Sequence, residues 1–134
     1  MSNATVSTAV ATVFTSLVLV GCATPTAEVP SSLGAVDYMS QAAVSEYVTG
    51  NTEEYSKGAG YYAEDGSILI RWDGKDLSGT YVIKDDGQLC MLVTEWGDSE
   101  DCQQYANVDG KVVRYYEGKP RDSVMKEGNM LDAY

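Results

Sequence analysis

The chain contains no histidine, and this absence excludes several kinds of chemistry. The usual zinc sites, every histidine-based catalytic triad and the common proton shuttles at neutral pH require an imidazole. Basic residues are also scarce, since 9 lysines and arginines accompany 20 acidic residues and give a net charge of −11. Because binding to a phosphate backbone requires clustered basic side chains, we predict no nucleic-acid partner.

Charge is missing altogether from the beginning of the chain, where the first charged residue is Glu28. The apolar run at 10–21 is too short for the ~20 residues that span a bilayer, but it has the length of a signal-peptide core. The run leads into the sequence LVGC at 19–22, which resembles the lipobox of bacterial lipoproteins. That resemblance implies cleavage before Cys22 and attachment of a diacylglyceryl group to its thiol. The alternative is a buried cysteine at the end of an apolar strand or of a short anchor helix.

This interpretation divides the chain into a signal peptide at 1–21, a lipidated Cys22 with a tether at 22–32, and a folded part. Pro25 and Pro30 favour extended backbone in the tether. In two-membrane bacteria the residue after the lipidated cysteine helps to sort lipoproteins, and Ala23 implies the outer membrane. We therefore expect a lipid-anchored protein that faces the periplasm.

Cysteine is rare, and only Cys90 and Cys102 remain once Cys22 is assigned to lipidation. An even number of cysteines in an oxidising compartment predicts a disulfide. The two residues flank a predicted hairpin whose turn lies at 97–100. A redox-active pair is the alternative, but the sequence lacks Cys-x-x-Cys spacing and a nearby histidine or lysine that would lower a thiol pKa. We expect a structural bridge.

Most of the chain alternates short β-rich runs with turn signals. Between them the residues alternate in polarity, so that Ile68, Ile70 and Trp72 share one face of a predicted strand. Six or seven such strands predict a mainly β fold at 58–126, an antiparallel meander that forms a small calycin-like barrel or a curved sheet. Four Asp-Gly dipeptides favour type I′ hairpin turns, at 65–66, 73–74, 86–87 and 109–110.

One amphipathic helix is predicted before the β domain, within 33–51. Its apolar residues recur at helical spacing, and Gly50 provides a stop signal. The tail after Pro120 has the pattern of one short strand near Val124 and is otherwise expected to fray.

Part of the β region resembles small secreted or lipid-anchored bacterial domains of unknown function. The shared features are a Gly-x-Tyr strand at 79–81, the turn at 86–87, Leu89 followed by Cys90, and a second cysteine, Cys102. The resemblance implies a calycin-like or half-barrel fold and implies no activity.

A weaker resemblance is to the membrane-bound inhibitors of c-type lysozyme, whose signature Ser-Gly-x-x-Tyr enters the lysozyme cleft. Here the corresponding sequence is Ser-Gly-Thr-Tyr at 78–81, which is one residue shorter. The resemblance implies that Ser78 and Gly79 contact the hydrolase from a loop that ends at Tyr81.

Phenylalanine is nearly absent, with 1 residue against 10 tyrosines and 2 tryptophans. Amphipathic rings that face outward provide contact area and a polar group, which favours binding of a glycan or a protein. The interpretation that we favour is that tyrosine replaces phenylalanine in a small core. The candidate binding residues are Ser78, Gly79, Tyr81, Trp96, Tyr115 and Tyr116.

Catalysis in this chain would depend on carboxylates alone, for example Glu95 with an aspartate across the sheet. The sequence has no nucleophile elbow, phosphate loop or metal-ligand spacing, and its acidic turns lack the calcium-loop pattern. We therefore expect a non-enzymatic protein, without cofactor or metal, that binds an envelope protein, a glycan or a small ligand.

Two more specific alternatives remain open. One is inhibition of a lysozyme-like hydrolase through the predicted loop at 78–81. The other is a calycin-like carrier that holds a small apolar ligand against the inner faces of two strands, formed by Ile68, Ile70, Trp72, Tyr81 and Ile83.

The lipoprotein interpretation predicts the outcome of a peptide map. We expect mass spectrometry of the protein, extracted from membranes of its own host and digested without reduction, to find acylated Cys22 at the N-terminus. The same map should contain Cys90 joined to Cys102. Retention of residues 1–21 together with free thiols would overturn the anchor, the compartment and the bridge at once.

Overall fold

The computed structural model describes residues 35–134; the predicted signal peptide, Cys22 and the predicted tether at 22–32 lie outside the described residues. Within residues 35–134 the chain forms one α-helix, α1 (Gln41–Val48), and nine β-strands. The strands are β1 (Asn51–Tyr55), β2 (Gly58–Tyr62), β3 (Ser67–Trp72), β4 (Lys75–Ile83), β5 (Leu89–Val93), β6 (Asp101–Val108), β7 (Lys111–Tyr116), β8 (Lys119–Arg121) and β9 (Val124–Glu127). Among these residues, no helix is long and apolar enough to cross a bilayer.

All nine strands belong to one antiparallel sheet with the order β8-β7-β6-β5-β4-β3-β2-β1-β9. Strands β1 to β8 form a meander of sequence neighbours, whereas β9 returns to pair with β1. The sheet curls into a half-barrel, and no pairing within residues 35–134 joins its edge strands β8 and β9. The prediction of a mainly β, antiparallel fold is confirmed, with the curved sheet in place of a closed barrel.

The concave face of the half-barrel contains the core. On β3 the side chains of Ile68 and Ile70 are 0% and 2% exposed, whereas Leu69 between them is 42% exposed, as the alternation predicted. The helix adds Val44 and Val48, both fully buried, to the same cluster. Each fully buried aliphatic side chain of this kind contributes about 1.5–3 kcal/mol.

The helix is shorter than the predicted 33–51. It begins after Ser40, whose Oγ accepts a hydrogen bond from the Ala43 amide at 3.3 Å, and it ends at Val48. Before it the backbone is extended, and Tyr38 forms a β-bridge with Ala106. The apolar residues before Ser40 matched helical spacing, but they precede the helix.

The turns follow two different designs. At 73–74 and 109–110 both residues have positive φ, between 51° and 77°, which confirms the type I′ prediction for these two Asp-Gly pairs. At 65–66 and 86–87 only the glycine has positive φ, so the type I′ prediction is wrong there. In these turns the aspartate carboxylate accepts a hydrogen bond from the backbone amide two residues later, Ser67 or Gln88.

The C-terminal tail does not fray as predicted. The expected strand near Val124 is present as β9, and a short strand that the sequence did not indicate, β8, precedes it. Beyond β9 the Met130 amide donates to Thr52 Oγ1 at 2.9 Å, and Arg71 Nη1 donates to the Leu131 carbonyl at 3.1 Å. These side chains attach the tail to β1 and β3.

The disulfide prediction is confirmed, because Cys90 on β5 and Cys102 on β6 are bonded. The two cysteines face each other directly in the antiparallel pairing of β5 with β6, which has only three paired positions. The bridge therefore reinforces the shortest central ladder of the sheet.

Replacement of both cysteines by alanine (C90A with C102A) should lower the free energy of unfolding by about 3 kcal/mol. The sequence separation of 12 residues sets the size of the loop that the bridge closes in the unfolded chain. Urea titration followed by circular dichroism measures the change. Reduced wild-type protein serves as the matched control and should unfold at the same urea concentration as the double variant. A double variant as stable as the oxidised protein would contradict a structural role for the bridge.

Candidate functional site

A cleft of about 460 Å³ opens at the end of the half-barrel opposite the helix. Along strand β6, the side chains on the concave face pass from the packed core to the cleft. Tyr105 packs against Tyr47 of the helix at a ring distance of 5.5 Å, whereas Gln103 and Asp101, two and four residues earlier on the same face, line the cleft. The volume lies within the range of pockets that hold a single small molecule.

One wall of the cleft, called here the aromatic wall, consists of Tyr55, Trp72 and Trp96. The ring centroids of Tyr55 and Trp72 are 6.0 Å apart, and those of Trp72 and Trp96 are 6.1 Å apart. Trp96 lies in the short 3₁₀ turn after β5 and is 41% exposed. Both tryptophans of the chain therefore lie in this one wall.

The rest of the charged lining, called here the polar wall, is formed by Asp101, Arg114, Tyr116 and Arg121 from β6, β7 and β8. The Tyr116 hydroxyl donates a hydrogen bond to Asp101 Oδ1 at 2.8 Å, and this bond raises the pKa of Tyr116. The guanidinium of Arg121 lies 6.0 Å from the centre of the Tyr116 ring. The cleft thus has an aromatic side and a charged side.

A buried carboxylate, Glu53 on β1, lies beneath the cleft and is 0% exposed. Its Oε2 atom accepts three hydrogen bonds, from the Tyr62 hydroxyl at 2.9 Å, the Tyr105 hydroxyl at 2.8 Å and Gln103 Nε2 at 3.0 Å. A carboxylate removed from water without such partners would cost several kcal/mol. The three donors are therefore what makes a charge tolerable at this position.

The other oxygen of Glu53 connects the buried network to the cleft through Arg114. Glu53 Oε1 lies 3.6 Å from Arg114 Nε, and neither atom has a hydrogen-bond partner within residues 35–134. Arg114 Nη1 donates to Gln103 Oε1 at 3.1 Å, and the guanidinium lies 4.8 Å from the centre of the Tyr55 ring. The contacts with Glu53, Gln103 and Tyr55 fix the orientation of the Arg114 side chain, which lines the cleft.

The buried tyrosines of this network have strongly altered acidity. Burial raises the pKa of Tyr62 and of Tyr105 well above the ordinary value of 10.0, and the negative charge of Glu53 raises both further. Both phenols are therefore protonated near neutral pH and donate hydrogen bonds to Glu53.

Two of the predicted binding residues line the cleft, Trp96 in the aromatic wall and Tyr116 in the polar wall. Tyr115 is elsewhere, because adjacent residues of a strand point to opposite faces. Its ring packs edge-on against Tyr38 at 5.5 Å, on the other face of the sheet.

The predicted loop at 78–81 is wrong. Ser78 and Gly79 lie inside β4, where Gly79 is paired with Ile68 on β3 and with Val93 on β5. Tyr81 is only 8% exposed, and its hydroxyl donates to the Ala63 carbonyl at 2.8 Å. Strand β4 follows the turn at 73–74 directly and pairs with a strand on each side. Residues 78–81 are therefore part of a central strand and do not form a loop that could enter another protein.

The predicted ligand-lining faces also differ from the cleft that is present. Ile68, Ile70 and Tyr81 belong to the packed core, and Ile83 packs against it. Only Trp72 of that set, at the end of β3, lines the cleft. Glu53, Gln103 and Arg114 were not predicted as site residues at all.

Among the described residues, Cys90, Glu100 and Cys102 bring three potential metal-binding atoms together. Both sulfur atoms belong to the disulfide. Since a thiolate is the form that binds a metal, this group is explained by the bridge and by an exposed glutamate.

The fold and the cleft define a class of protein: a small, disulfide-bonded antiparallel half-barrel whose open end combines aromatic and charged side chains. Residues 16–128 match the family described as "Protein of unknown function (DUF995)", and the chain belongs to that family. This agrees with the expected resemblance to domains of unknown function. No curated protein and no solved structure matches the chain.

The buried tyrosines predict how the protein unfolds in alkali. The unfolded chain ionises Tyr62 and Tyr105 near pH 10.0, whereas their pKa values in the folded protein are higher. The folded state therefore holds more protons above pH 10.0, and its stability should fall by about 1.4 kcal/mol per pH unit for each of the two. Below that pH the contribution is fully present. Phenolate absorbance from these residues should appear only with the loss of circular dichroism, and smooth titration before unfolding would contradict the buried network.

Proposed function

We propose that this chain is a non-enzymatic lipoprotein of the bacterial cell envelope whose half-barrel binds a small ligand in the cleft. One observation carries the proposal: both tryptophans and the oriented guanidinium of Arg114 line a single concave site of about 460 Å³. Large aromatic side chains and a few fixed polar groups are the usual composition of a small-molecule site.

The proposed location rests on the sequence and is supported by the disulfide. The lipobox-like LVGC at 19–22 would place a lipid on Cys22, and the tether at 22–32 would separate the domain from the membrane surface. A bridge between Cys90 and Cys102 is typical of an oxidising compartment such as the periplasm. Ala23 favours the outer membrane as the site of attachment.

Binding accounts for the carboxylates near the cleft better than catalysis does. Glu53 is 0% exposed and its Oε2 accepts three hydrogen bonds, so this carboxylate is separated from anything that enters the cleft. Asp101 accepts a hydrogen bond from Tyr116. Glu95, the carboxylate considered from the sequence, is exposed in the turn before Trp96. A glycosidase requires two carboxyl groups on either side of the reacting bond.

A small ligand fits the site better than a protein partner does. Protein interfaces are generally broad, with about 800 Å² buried on each side, whereas this site is a concave cleft between two walls. Its aromatic wall would pack against an apolar or flat part of the ligand, and its polar wall would fix the orientation.

The fluorescent probe anilinonaphthalene sulfonate tests the proposed site. We expect it to bind the folded domain at one site, and the variant Trp96→Ala to bind it about tenfold more weakly because the aromatic wall loses an exposed ring. Isothermal titration calorimetry measures both affinities.

Leu92→Ala is the matched control for this experiment. Leu92 is 41% exposed, as is Trp96, but the alternation along β5 places it on the face opposite Met91, which lines the cleft. The control variant should bind the probe as the wild type does. Equal affinities for the wild type and Trp96→Ala would show that the cleft is not the binding site.

A further inference from the structure

We infer that the cleft recognises a small, flat molecule with a single negative charge, of the chemical class of aromatic carboxylates. The aromatic wall would hold the ring of such a molecule, and the guanidinium groups of Arg114 and Arg121 would bind its anionic group. This inference rests on the proposed function and names its ligand class.

The first argument is that aromatic rings and two guanidinium groups lie side by side in one cleft. Tyr55, Trp72 and Trp96 form a continuous series of rings on one side, with successive centroids 6.0 Å and 6.1 Å apart. Arg114 on β7 lies next to this series, with its guanidinium 4.8 Å from the centre of the Tyr55 ring, and Arg121 on β8 lies farther along, beside Tyr116. A ligand that contacts both walls must have an aromatic or flat apolar part and, beside it, a group that pairs with a guanidinium.

The second argument is the number of donors that the two guanidinium groups leave available. Within residues 35–134, Arg121 forms no salt bridge. Arg114 is paired with Glu53 through its buried Nε at 3.6 Å and donates one hydrogen bond, from Nη1 to Gln103, so its Nη2 group is the part left for a ligand. A guanidinium carries five N–H donors in a planar fork that matches a carboxylate. Arg114 is also held in place by Glu53, Gln103 and Tyr55, so little side-chain entropy is lost when a ligand binds it.

The third argument concerns charge, and it favours a ligand with one negative charge over a ligand with several. The charged side chains that line the cleft are Asp101, Arg114 and Arg121, with a sum of +1, and Glu53 lies buried beneath them. If Glu53 is included, the charges around the cleft add up to zero. The net charge of the whole chain is −11. The cleft is therefore far less negative than the protein as a whole. A ligand with several negative charges would be repelled by Asp101 and by the acidic surface.

The experiment compares two probes of the same shape, naphthoate and its neutral amide, naphthamide. We expect the wild-type protein to bind naphthoate at least about tenfold more tightly than naphthamide, because charge-assisted hydrogen bonds from arginine are the stronger ones. Arg121→Gln should remove most of this preference and leave the affinity for naphthamide unchanged. Isothermal titration calorimetry at low salt measures the four affinities.

Lys111→Gln is the matched control, since it removes one positive charge from β7 outside the cleft and should keep the preference for naphthoate. Equal binding of naphthoate and naphthamide would overturn the inferred ligand class and leave the proposed binding site standing. Binding of neither probe, with no binding of anilinonaphthalene sulfonate, would overturn both. Binding of a neutral chitin oligosaccharide in preference to naphthoate would replace the inferred ligand with a glycan.

Discussion

The buried carboxylate of Glu53 is the constraint on which the open end of the molecule depends. Its hydrogen bonds join β1, β2 and β6, and its ion pair with Arg114 extends the connection to β7. Strands that are far apart in the order of the sheet thus meet across its concave face. A half-barrel has no closing ladder to hold its curvature, so polar contacts across the concave face supply part of what closure supplies in a complete barrel. The ion pair with Glu53 also orients the side chain of Arg114 in the cleft.

Much of the fold was accessible from the sequence because the relevant signals are local. The alternation that buries Ile68 and Ile70 and exposes Leu69 needs only neighbouring residues, as do the turns at 73–74 and 109–110. Local signals failed at the beginning of the helix, because the helical spacing of apolar residues extends to positions before Ser40 and predicted a longer helix. That capping side chain and the extended backbone at Tyr38 decide the boundary, and the bridge from Tyr38 to Ala106 is a contact between distant parts of the chain.

The candidate site was accessible only in part, for a different physical reason. Trp96 and Tyr116 could be proposed because large amphipathic rings are unusual outside a core. Glu53 could not, because β1 is a polar segment and a buried charge becomes favourable only through partners such as Gln103 and Tyr105, 50 and 52 residues further along the chain. Two adjacent glutamates at 53–54 give no local sign that one is fully buried and the other is bonded at the surface to Lys126.

The edge strand β8 restricts which substitutions the cleft can accept during evolution. An unpaired strand edge invites association with other chains unless charges or proline interrupt it. All three residues of β8 are exposed, and its centre is Pro120, which has no amide hydrogen to offer, between Lys119 and Arg121. Arg121 therefore belongs both to the polar wall and to the protection of the edge. A relative that exchanged this arginine for an apolar residue, to accept a neutral ligand, would need another safeguard against edge-to-edge aggregation.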